Sequence, residues 1–100
     1  MKYRIVPSPD ADADVVLASW WYQRIDSNLA FRFKLEGRAT VVRIGQFPYR
    51  FPVVNGSVRR APLKRFPYAI YYSLATDEVF VIAVLHQRQS DVIWKQPSRS

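Results

Sequence analysis

One hundred residues, 49% hydrophobic and 15% aromatic, are enough for one packed domain and exclude a chain too polar to fold. Cysteine is absent and histidine occurs once; this excludes disulfide staples and cysteine-based zinc centres, leaves little for any other metal site, and calls for no cofactor. A formal charge of +7 and an isoelectric point near 10.1 favour acidic partners, whether nucleic acid, acidic protein or anionic lipid, without choosing among them.

Residues 1–7 carry no apolar leader, and no apolar run approaches a membrane span, so a cytoplasmic protein without membrane contact is expected. Residues 3–6, Tyr-Arg-Ile-Val, read as a first strand. Ser8-Pro9-Asp10 then starts a helix: serine caps, proline takes the first helical position, and Asp10 meets the positive end of the dipole. Ala11, Val15, Ala18, Tyr22 and Ile25 follow at spacings of four and three, one apolar stripe of a helix ending near Arg24 or Ile25. Trp20 and Trp21, about a hundred degrees apart on a helix, suggest one ring packed inward and one exposed for a partner.

Asp26-Ser27-Asn28 reads as a turn and the next cap. Leu29, Phe33, Val41 and Ile44 hold helical phase through a second helix, which should stop before Phe47-Pro48. Gly37 inside it costs about 1 kcal/mol relative to alanine and suggests a close helix crossing. So short a turn predicts an antiparallel helical hairpin. Residues 47–54, with two prolines and no clear period, read as a loop ending in the Asn55-Gly56 turn signal.

The period then becomes two. Residues 58–63 form a weak strand, interrupted at Pro62. Residues 66–74 form a stronger one, with Phe66, Tyr68, Ile70, Tyr72 and Leu74 on one face. Residues 79–86, apolar on both faces, read as a central strand. Residues 90–94 can form a last helical turn. The expected fold is α+β: an N-terminal strand and a helical hairpin packed on a mainly antiparallel sheet, in the order β-α-α-β-β-β.

This order, together with "SPDADAD", "RFPYAIYY", "AVLHQR" and the trailing Trp94, resembles the RelE/ParE superfamily of toxins from type II toxin–antitoxin modules, across nearly the whole chain. The resemblance implies growth arrest, a role in plasmid stabilisation, and a small antitoxin that wraps around the toxin, in a heterotetramer with it or around a toxin homodimer. It also implies one of two targets: ParE-like members inhibit DNA gyrase, whereas RelE-like members cut messenger RNA on the ribosome. The reading favoured here is the gyrase inhibitor, with the endoribonuclease second and a plain nucleic-acid-binding module third.

Cleaving RNA requires a base for the ribose 2′-hydroxyl, an acid for the leaving oxygen and cations for the crowded phosphate. His86 is the side chain whose ordinary titration lies near neutrality. It and Arg88 point the same way if their strand continues. For a nuclease the candidate catalytic residues are therefore His86, Arg60, Arg65 and Arg88. The plainer alternative for His86 is a strand-end ring that bonds a backbone group. For binding an acidic antitoxin or the target, the candidates are Arg59, Arg60, Lys64, Arg65, Tyr68 and Trp20, with the four cations acting as one patch shared by both. The plainer alternatives are a solvated sheet edge for the cations and core packing for the aromatics.

Overall fold

A computed structural model describes residues 3–88. The elements run β1 (Arg4–Pro7), α1 (Pro9–Ile25), α2 (Ser27–Gln46), β2 (Val53–Asn55), β3 (Val58–Pro62), β4 (Tyr68–Leu74) and β5 (Glu78–His86). The strands form one sheet in the order β1-β5-β4-β3-β2. β1 runs parallel to β5, from Arg4 opposite Glu78 to Pro7 opposite Val81, and every other pairing is antiparallel. The expected α+β order therefore holds, with one strand more than the sequence indicated. Residues 53–55, read as the end of a loop, pair with β3 as an edge strand whose three residues are all exposed. The two prolines ahead of them hid this strand, because it is too short to show a period.

The local chemistry of the hairpin follows the sequence closely. Ser8 Oγ accepts the amide of Ala11 at 3.0 Å, and Pro9 opens α1. Asp26 serves both helices: its amide donates to Tyr22 O at 2.9 Å, ending α1, and its carboxylate accepts the amide of Asn28 at 2.9 Å, starting α2. Ala11, Ala18, Phe33 and Ile44 face the sheet and are buried, but Ile25, at the end of the α1 stripe, is exposed.

One face of the sheet carries Ile70, Tyr72, Val79, Val81 and Val84 against the helices. Each large side chain buried there contributes roughly 1.5–3 kcal/mol. The opposite face holds a smaller cluster of Ala69, Tyr71, Ala83 and Leu85. Both faces of β5 are thus apolar, as the sequence suggested, and β5 lies inside the sheet between β1 and β4. The pairing jumps from Tyr71–Ala83 to Tyr72–Val81, which leaves Ile82 as an extra residue. This bulge reverses the inward phase of β5, from Val79 and Val81 before it to Val84 and His86 after it. No helix of the described residues is long and apolar enough to cross a membrane. The anticipated helical turn at residues 90–94, and Trp94, lie outside the described residues.

Candidate functional site

The cations anticipated as one patch do not share a face. Arg59 and Arg60 are consecutive on β3 and pair with Tyr72 and Tyr71, so they leave the sheet on opposite sides. On the helix side, the Arg59 guanidinium donates to Phe51 O at 2.7 Å and Tyr49 O at 3.2 Å, and it lies 5.1 Å from the centre of the Tyr49 ring. It pins the segment between α2 and β2. On the other side, Arg60 Nε donates to Tyr71 Oη at 3.1 Å. Lys64 and Arg65 sit at the exposed tip of the β3–β4 connection, where Arg65 has a φ of 69°, a left-handed conformation that a non-glycine residue adopts at a cost.

That tip is tied to α2 through Glu36. Its Oε2 accepts the Lys64 amide and the Arg43 guanidinium, both at 3.1 Å. Arg43 also donates to Thr40 Oγ1, which donates to Glu36 O, each at 2.9 Å. Burial alone would raise the carboxyl's pKa, but the Lys64 amide and Arg43 together hold it below the ordinary value.

His86 ends β5, and the strand does not continue in line to Arg88 as the nuclease alignment required. Instead the chain turns, and the Arg88 amide donates to His86 Nδ1 at 3.0 Å. An imidazole that accepts at Nδ1 carries its proton on Nε2 when neutral, so the ring makes the backbone bond set out as the plainer alternative. Its ring lies edge-on to Tyr68 at 5.2 Å. Tyr68 in turn packs against Phe33 and Tyr22, the core role set out as the plainer alternative. Burial, and then the charge of Asp14, raise the pKa of the Tyr68 hydroxyl.

The helices of the hairpin meet at Asp26. The gap between them is an apolar groove of about 550 Å³, which sequence reading missed. Ile70, Val81 and Val84 floor it, Ala11 and Val15 wall it from α1, and Gly37 and Val41 wall it from α2. Lys34, Arg38 and Asp12 stand at its rim. Gly37 does not serve a close crossing: a β-carbon built there meets nothing within 4 Å, so its missing side chain widens the groove. The signal in the sequence was a glycine in mid-helix on the same arc as Phe33 and Val41.

Trp20 and Trp21 are 61% and 56% exposed, so neither ring packs inward; Ala18 and Tyr22 already fill the inward arc of α1. The Arg24 guanidinium lies 5.3 Å from the Trp20 ring centre. Among the described residues no group of histidines, cysteines and carboxylates is placed to hold a metal.

A family model described as "ParE toxin of type II toxin-antitoxin system, parDE" matches residues 5–91. The chain belongs to the ParE toxin family. Its fold agrees with a solved chain of the chromosomal ParDE TA system from P. aeruginosa, with a TM-score of 0.75 and 16% identity over 85% of this chain and 96% of that one. No curated protein matches. Within this ParE-family chain, the helical hairpin carries the apolar groove between its helices and the exposed Trp20 and Trp21 outside it, and the cations at the β3–β4 tip lie beside α2.

Proposed function

We propose that this ParE-family toxin acts in the cytoplasm by binding DNA gyrase, not by cutting RNA, and that a cognate acidic antitoxin neutralises it by seating an apolar segment in the α1–α2 groove. The observation that carries the first part is the bond between the Arg88 amide and His86 Nδ1. It engages the lone pair that a general base would need at Nδ1, while Arg60, a nuclease candidate, donates its Nε–H to Tyr71 Oη. Inhibition by contact needs none of these groups, only a complementary surface. For the second part, the groove offers apolar walls with Lys34 and Arg38 at the rim, which suits a helix or extended segment with apolar residues on one side and carboxylates beside them. Lys64 and Arg65, exposed beside α2, add to the attraction over distance.

Induction of the chain in bacteria, with DNA supercoiling and strand breaks followed beside messenger RNA ends, tests the target. The expected result is altered DNA with intact messages, and a His86→Ala variant that still arrests growth. Cuts in translated messages with intact DNA, abolished by His86→Ala, establish the nuclease instead. Gly37→Trp, which fills the groove, is expected to preserve growth arrest and to abolish rescue by the co-expressed antitoxin; full rescue places the antitoxin elsewhere.

A further inference from the structure

We infer that the outer ridge of the helical hairpin is the surface with which the toxin grips its target, and that the target offers there an acidic cleft with an apolar floor. This inference rests on the reading that the chain acts by contact.

In a two-layer domain the helix arcs opposite the sheet should be polar. Here α1 presents Val16, Leu17 and Trp20 outward, and α2 presents Phe31 and Leu35, each between 47% and 66% exposed. Phe31 and Leu35 are two residues from the inward-facing Phe33, which places them on the opposite arc of the helix. The hairpin turns at Asp26, so these five side chains stand on the side of the two helices away from the sheet. Single exposed apolar residues are ordinary; several on one side of a hairpin mark an interface.

Its charge selects the occupant. Arg24 and Arg32 are exposed beside these side chains, Lys34 and Arg38 stand at the neighbouring groove rim, and none of the four makes an ion pair among the described residues. Glu36, the carboxylate carried by α2 itself, is held on the other side of that helix by Arg43 and the Lys64 amide, and Asp12 stands across the groove on α1. A second copy of the chain would bring like charges together. Lipid is also a poor fit: Arg24 stands within the ridge, 5.3 Å from the Trp20 ring centre, where acyl chains would strip its water and supply no counter-charge. A protein carboxylate would pair with it. Shape separates target from antitoxin. The groove is concave and takes a single segment, whereas the ridge is convex and needs a cleft, which a large folded target has and a short wrapping chain lacks.

The test expresses Trp20→Glu and Leu35→Glu, singly and together, with and without the cognate antitoxin, and follows growth, antitoxin co-purification and thermal melting. Both side chains are exposed, so folding is expected to survive; Trp20→Ala and Leu35→Ala repeat the test without added charge. The inducer dose needed for arrest is expected to rise on the order of tenfold or more, with antitoxin co-purification unchanged. Undiminished arrest overturns the inference. Loss of both arrest and antitoxin binding in a folded variant also overturns it, by giving the ridge to the antitoxin. Sedimentation of the wild type, but not the variants, with phosphatidylglycerol vesicles gives the ridge to lipid and overturns it as well. Failure of the wild type to arrest growth is a separate result: it sinks the functional reading, and the inference falls with it.

Discussion

Asp14 Oδ2 accepts the amide of Val84 at 2.9 Å, joining α1 to β5 across a sequence separation of 70 residues. β1 leaves its partner after Pro7 opposite Val81, and Ser8 takes the next groups through Val81 O and Ile82 O. The edge of β5 beyond β1 is therefore closed by helix side chains. Asp14→Ala removes the acceptor and leaves a part-buried amide unpaired, at an expected cost of about 1–3 kcal/mol. Asp14→Asn keeps a carbonyl oxygen in place and should lose less. Urea unfolding of the three proteins measures the difference.

Glu36 gives a pH dependence on the acid side. Its folded pKa lies below the ordinary carboxyl value, so its stabilisation is fully present above the unfolded value, near 4.5, and is lost as pH falls through the folded one. Denaturation midpoints between neutral and acid pH should show this loss, with a shallower slope in Glu36→Gln. At neutral pH the same variant is expected to cost about 1–2 kcal/mol through weaker bonds to Arg43 and the Lys64 amide.

Tyr72 sets the alkaline limit. Its hydroxyl is buried and donates to Pro48 O at 2.7 Å. Burial pushes its pKa up to about 12, against the opposing pull of Arg59. The folded state thus holds its proton more tightly than the unfolded state, whose tyrosine titrates near 10. The stabilisation is complete below pH 10 and is lost as pH rises toward 12. Tyr72→Phe should flatten this loss and lower stability at neutral pH by about 1–3 kcal/mol, because Pro48 O is left without its donor. Tyr22 and Tyr68 are shifted in the same direction by burial, so some alkaline loss should persist in the variant.

Gly37 predicts a gain. With open space where its β-carbon would stand, Gly37→Ala should raise stability by roughly 0.5–1 kcal/mol, through better helix propensity and a less disordered unfolded chain. A thermal melt that fell instead would show that the helix there depends on the missing side chain.

The hairpin was legible because its signals are local. Ser8 and Pro9 mark the start of α1, Asp26 marks the joint, and Phe33 and Ile44 hold the inward phase of α2. The bulge at Ile82 was not legible: β5 is apolar on both faces, so a reversal of phase leaves no trace in hydropathy. The cation cluster misled for a related reason. Neighbouring arginines look like one patch along a chain, but on a strand they part company at every step. The groove was hidden because it belongs to neither helix alone: residues of α1, α2 and the sheet line it together, with Gly37 leaving space on the α2 side.

Asp26 is the fulcrum of this arrangement. Since a single residue finishes one helix and launches the next, the hairpin has no loop at its vertex, and two hydrogen bonds to one amino acid bring both helix ends to the same point. A substitution there therefore strikes both arms of the groove at once, which no other single position on the hairpin does through its caps.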